Sequence, residues 1–144
     1  MGFKVRPYLE MLRIHHTIFS LPFAYVGALL RGPVDLRLAL LIGVALFLAR
    51  SVALLANDLF DRDLDALNPR TSNRPLVRGD ASPKVTALLI FLMSLGFVLT
   101  SLAINQLAFT LSFVILAAEL SYPFSKRVHC FPHFHLGLYW DSSP

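Results

Sequence analysis

Residues 85–104 read VTALLIFLMSLGFVLTSLAI, a run of 20 residues without a single charge. A bilayer core about 30 Å thick is crossed by about 20 apolar residues in a helix. In hydrocarbon a helix is also what satisfies its own backbone polar groups within one segment. This run is therefore expected to be a membrane span. Three further apolar segments accompany it. Leu38 to Ala56 is interrupted only by Arg50, and Leu107 to Phe124 carries Glu119 and reaches Pro123 near its end. Thr17 to Leu30 is shorter, contains Pro22, and spans fully only if extended back through His15 and His16 to Met11; by length alone it also suits an interfacial or re-entrant segment. The expected fold is all-α, a transmembrane bundle of about four helices.

Composition agrees. The chain is 56% hydrophobic and 15% charged, against roughly 25% charged in ordinary soluble domains. The net charge of +4 comes without a lysine-arginine block or aromatic-basic interleaving, so nucleic acid is not an expected partner. One cysteine, Cys130, excludes an internal disulfide. No small-residue cleavage site follows the first apolar run, so it is expected to be retained rather than cleaved as a signal peptide.

Basic residues orient the spans. Lys4, Arg6 and Arg13 precede the first segment, and Arg62, Arg70, Arg74, Arg78 and Lys84 separate the second from the third. Lys126 and Arg127 follow the fourth, while the opposite side holds only Arg31 and Arg37. The positive-inside rule then places both ends and the long polar loop in the cytoplasm, with the spans in the inner (plasma) membrane. Asn105-Gln106 is expected to form a tight hairpin. Asn68-Pro69 should end a helix, Arg78-Gly79-Asp80 should turn, and Ser82-Pro83 should start the third span.

The polar loop opens with NDLFDRDLD. If the second helix continues past Ala56, Asn57, Asp58, Asp61 and Asp65 fall along one side, with Arg50 two turns earlier and Asp63 pointing elsewhere. Like charges so spaced repel, and more strongly as water is excluded. A hard divalent cation would offset that cost, and an oxygen-only donor set favours magnesium over zinc. Magnesium takes one or two carboxylates and completes its shell with water and phosphate, so carboxylates beside arginines suggest a magnesium-bridged diphosphate site. A plainer reading is equally compatible with the spacing: solvated acids paired with nearby bases, Arg50 in an ion pair with Asp58 or Asp61, and Glu119 reaching interfacial water. His15 and His16 are adjacent and face different sides, and His129, His133 and His135 lack the surroundings of a zinc site.

The form Asn-Asp-x-x-Asp-x-x-x-Asp resembles the first aspartate-rich motif of the UbiA-type intramembrane prenyltransferases. HTIFSLPFAYVGALL resembles that family's first helix, Arg50 stands where an arginine often precedes the motif, NPRTSNRPLVRGDAS resembles the following loop, and YPFSKR a later signature. Together these cover most of residues 8–127. The resemblance implies a helical bundle, usually of nine helices, that transfers a prenyl group from an isoprenyl diphosphate to an acceptor with Mg2+. It implies that Asn57, Asp58, Asp61 and Asp65 hold the metal, with Asp58, Asp61, Asp65 and Lys126 catalytic. Arg50, Arg70, Arg74 and Lys126 would hold the diphosphate, and Arg127 the carboxylate of an aromatic acceptor. The helix-one and loop sequences are nearest to the 4-hydroxybenzoate polyprenyltransferases of quinone synthesis. Naphthoate, chlorophyllide or haem acceptors are alternatives, as is a non-enzymatic membrane protein with a cation-binding acidic loop.

The second aspartate-rich motif of that family is missing: beyond Asp80 the carboxylates are Glu119 and Asp141. After Arg127 the family's Pro-Gln is replaced by Pro132-His133, and the chain closes on YWDSSP. The expected organisation is residues 1–127 as the N-terminal half of a prenyltransferase domain and residues 128–144 as a divergent tail of a truncated or frame-shifted product. Such a product is expected to be inactive alone.

Overall fold

A computed structural model gives the backbone of residues 5–128, and the side chains of these except residue 16 and residues 124–128. Seven helices follow in order: α1 (Arg6–Leu12), α2 (Ile14–Leu29), α3 (Leu36–Phe60), α4 (Arg62–Leu67), α5 (Pro75–Arg78), α6 (Pro83–Ile104) and α7 (Gln106–Val128). The described residues form an all-α bundle. Three helices, α3, α6 and α7, are long and apolar enough to cross a membrane, and α2 contributes a shorter apolar stretch, Thr17–Leu29.

The long helix α3 is the axis of the bundle, packed against α1, α2, α6 and α7. It begins where the Asp35 carboxylate accepts from the Leu38 backbone N–H at 2.8 Å, satisfying a donor that has no partner within the helix. Small residues let its neighbours approach: Ala45 and Ala49 bury against Phe97, and a Cβ on Gly96 of α6 would lie 3.3 Å from Leu48 Cδ1. Close approach through small residues is how helices associate where lipid offers no hydrophobic drive between them. The outward rows of α6, among them Leu88, Phe91, Leu95 and Leu99, stay exposed and face what would be lipid.

Local stops fall where the residue chemistry puts them. Asn68 ends α4 in extended geometry ahead of Pro69, and Gly79 closes α5 at φ +80, a conformation glycine adopts without cost. Asn105 turns the chain between α6 and α7, its Oδ1 accepting from the Ala108 N–H at 2.7 Å. Pro83 occupies the first turn of α6, but Ser82 does not cap with its side chain. Its backbone N–H instead donates to Tyr8 Oη at 3.0 Å.

Two local features differ from expectation. The second apolar helix does not run unbroken through the aspartates: it ends at Phe60, bends at Asp61 (φ −86, ψ 2) and resumes as α4. Aspartate competes for backbone hydrogen bonds and favours helix ends over interiors, and Asp61 sits at both ends here. The N-terminal segment is also split. Arg13 adopts a left-handed conformation (φ 42, ψ 55), so α1 stands apart from α2 and buries Tyr8, Met11 and Leu12 with Leu55, Leu76 and Ala81.

Candidate diphosphate and metal site

The bend at Asp61 is what assembles the site. Asp58 lies in the last turn of α3 and Asp65 in α4, and both are buried, as is Asp61 between them. Asp63 is exposed, as its spacing implied. Arg74 closes the group: its Nη1 lies 2.9 Å from Asp58 Oδ1 and also donates to Asp65 Oδ2. From the other side Arg13 Nη2 stands 3.5 Å from the same Asp58 oxygen. Taking one charge out of water costs several kcal/mol in a protein interior unless it is paired, so each guanidinium makes the buried carboxylates tolerable.

Arg74 is held at its post by local chemistry on both sides. Upstream, residues 68–74 are knitted by short-range bonds: Thr71 Oγ1 donates to the Asp65 carbonyl at 3.1 Å, and the Arg70 N–H to Asn68 Oδ1 at 3.0 Å. Downstream, Pro75 sets the first turn of α5, and Leu76, 1% exposed, anchors that turn in the core beside Tyr8, Met11 and Leu55. Farther out, Arg78 pairs with Asp80 at 2.9 Å and approaches Glu10 at 3.8 Å, an exposed set worth little energetically.

The expected residues separate into groups. Asp58, Asp65 and Arg74 come together, and Asp61 and Asn57 adjoin them on α3, the Asp61 N–H bonding to the Asn57 carbonyl at 2.9 Å. Arg70 is exposed on the loop. Arg50 is exposed on α3, and its charge acts on Glu119 of α7 rather than supplying the ion pairs of Asp58, which come from Arg74 and Arg13. Glu119 is half-buried, and its Oε2 has no hydrogen-bond partner among the described residues. The side chains of Lys126 and Arg127 lie outside the described residues, as does the expected tail from residue 129 onward with its three histidines. In the sequence Arg13 reads only as an orienting charge. The signal that could have marked it is a lone arginine between two apolar stretches, MLRIHHTIF.

Between α2 and α3 lies an open apolar groove of about 300 Å³, lined by Ile14, Thr17, Leu21, Tyr25, Val44 and Phe47 among others. It starts at the residue after Arg13 and runs down to Tyr25, whose Oη donates to the Ala39 carbonyl at 3.1 Å.

No three His, Cys, Asp or Glu among the described residues surround a common metal position. Two carboxylates do converge, on Arg74 Nη1, and magnesium usually asks for one or two, completed by water and phosphate. The donor chemistry therefore fits magnesium, at the place Arg74 holds.

The UbiA prenyltransferase family matches residues 20–143 of this chain. The chain belongs to the UbiA prenyltransferase family. It is 36% identical over 140 residues to the 4-hydroxybenzoate octaprenyltransferase of Vibrio cholerae serotype O1, covering 94% of this chain and 49% of that enzyme. Against the enzyme of the same name from Shewanella frigidimarina it is 35% identical over 145 residues, covering 97% and 51%. Among solved structures, the apo structure of a UbiA homolog from Aeropyrum pernix K1 superposes with a TM-score of 0.78 at 46% identity, over 87% of this chain and 46% of that one. The chain spans about half the length of the curated relatives it matches. With three spanning-length apolar helices, this UbiA family member is an integral membrane protein.

Proposed function

We propose that this chain carries the diphosphate-binding half of a UbiA prenyltransferase, which moves a polyprenyl group from its diphosphate to an aromatic acceptor such as 4-hydroxybenzoate. The observation that carries this reading is the Asp58–Arg74–Asp65 bridge. Carboxylates that would hold a metal and a guanidinium that would hold a phosphate meet at one point.

Each part has a chemical role in the reaction. The allylic C–O bond breaks with its electron pair leaving on the diphosphate, so negative charge grows where Arg74 and Arg13 stand ready to stabilise it. Magnesium held by Asp58, Asp61 and Asp65, with Asn57, would neutralise the same leaving group as a Lewis acid. Arg50, Arg70 and Lys126 belong to the proposed diphosphate set and Arg127 to the acceptor's carboxylate, by resemblance to the family. The open groove between α2 and α3 offers isoprene units an apolar surface. The allylic cation is then attacked by an electron-rich ring carbon, which afterwards loses its proton. The aspartate-bearing end also collects Arg62, Arg70, Arg74, Arg78 and Lys84, supporting its placement on the cytoplasmic side of the inner membrane.

The test is titration of the detergent-solubilised chain with geranyl diphosphate, with and without Mg2+, and with Asp58→Asn in parallel. Magnesium-dependent binding that Asp58→Asn weakens at least about tenfold supports the proposal. Cation binding indifferent to the diphosphate would instead identify a cation-handling membrane protein and defeat it.

A further inference from the structure

Arg74 bridges the two buried carboxylates Asp58 and Asp65. Its Nη1 is shared between Asp58 Oδ1, at 2.9 Å, and Asp65 Oδ2. Asp58 is only 3% exposed and Asp65 8%, and both carboxylates pack against the same guanidinium nitrogen. Two guanidiniums, Arg74 and Arg13, already offset most of the charge of the three buried carboxylates Asp58, Asp61 and Asp65. A dication arriving alone would meet a guanidinium at contact distance in a site poor in water, where like charges repel strongly.

We propose that Arg74 is a built-in surrogate cation: it keeps the two carboxylates together before substrate arrives, and excludes a divalent ion that comes without a diphosphate. The inference rests on the proposed diphosphate site and deepens it. Arg74 has the means to leave. It sits in extended geometry between a loop and α5, with 19% of its side chain exposed, and its planar fork suits phosphate oxygens as well as carboxylates. A diphosphate offers the guanidinium a new partner, and the vacated carboxylates then accept the metal. Metal and diphosphate binding are thereby coupled through one side chain, and such coupling is reciprocal.

The experiment measures Mn2+ binding to the purified full chain in detergent by electron paramagnetic resonance, with and without inorganic pyrophosphate. The expected wild-type result is weak binding of Mn2+ alone and binding tighter by on the order of tenfold or more with pyrophosphate. Arg74→Gln is expected to bind Mn2+ alone about tenfold more tightly than wild type. Arg74→Lys, which keeps the charge, is expected to stay near wild type. Because Arg74→Gln removes the ion pair of buried Asp65 and leaves Asp58 with Arg13, its melting temperature is measured as well: it should fall without metal and recover in Mn2+ by more than wild type gains. Coupled binding in wild type with no gain for Arg74→Gln overturns this inference alone. So does an equal gain for Arg74→Lys, or an Arg74→Gln protein that Mn2+ does not restabilise. Wild-type protein that binds Mn2+ neither alone nor with pyrophosphate defeats the diphosphate-site reading itself.

Discussion

The backbone N–H of Ser82 donates to the phenolic oxygen of Tyr8 at 3.0 Å, tying the first helix to the first turn of α6 across 74 residues of sequence. This bond closes a ring of contacts around the charged site. α1 leads into Arg13, α5 follows Arg74, and both helices rest on the same core of Tyr8, Met11, Leu55 and Leu76. Tyr8→Phe keeps the ring buried and removes the hydroxyl that accepts this bond. It should cost about 1 kcal/mol, the net worth of one such bond, read as a shift in thermal or denaturant unfolding in detergent.

Leu76 tests whether core packing positions Arg74. It is 1% exposed, two residues from the guanidinium that bridges the aspartates. Leu76→Ala should destabilise by about 2–5 kcal/mol through the cavity it leaves. Geranyl diphosphate affinity should fall with it, measured under conditions where circular dichroism shows the variant still folded. Unchanged affinity would show that the loop of residues 68–74 suffices to place Arg74.

Arg13 combines strain with charge. A side chain in the left-handed region costs about 1–2 kcal/mol, which glycine avoids. Arg13→Gly should therefore be more stable than Arg13→Ala by about 1 kcal/mol. Both variants should bind diphosphate more weakly than wild type, since both remove the charge beside Asp58. Paired unfolding curves and diphosphate titrations separate the two effects.

Gly96 tests the packing of α6 on α3. A Cβ there already stands 3.3 Å from Leu48 Cδ1, so Ala can be absorbed by a small movement of one flexible side chain. Gly96→Val cannot. It should cost about 1–3 kcal/mol as the helices are forced apart, visible as a lowered melting temperature.

Chelation probes the metal without mutation. EDTA should abolish geranyl diphosphate binding while leaving helicity and melting temperature nearly unchanged, because Arg74 and Arg13 neutralise Asp58 and Asp65 when no ion is present. A large loss of stability on chelation would mean that the carboxylates depend on metal to stay buried.

Much of this architecture was legible from residues 1–128 read in order. The spans are local sums of transfer energy over about 20 residues, so α3, α6 and α7 stood out without any knowledge of partners. The stops at Asn68, Gly79 and Asn105 were legible for the same reason: each depends on the backbone preferences of one or two residues. Helical spacing also singled out Asp58, Asp61 and Asp65 and set Asp63 aside, because periodicity reports which residues share a face.

Periodicity could not report the break at Asp61, which a continued helix hides, nor the break at Arg13, where φ turns positive between two apolar stretches. Nor could it give the partners. Arg13 and Asp58 are 45 positions apart, and Arg74 meets Asp58 where Leu76, two residues on, packs into one core with Tyr8. By itself, then, the sequence determined a chain that must live in a bilayer and the acidic residues that make it more than an anchor. Which cation those acids hold was decided only in three dimensions, because a pairing of buried charges depends on distance through space, and that distance is set by how α1 and α5 pack around α3.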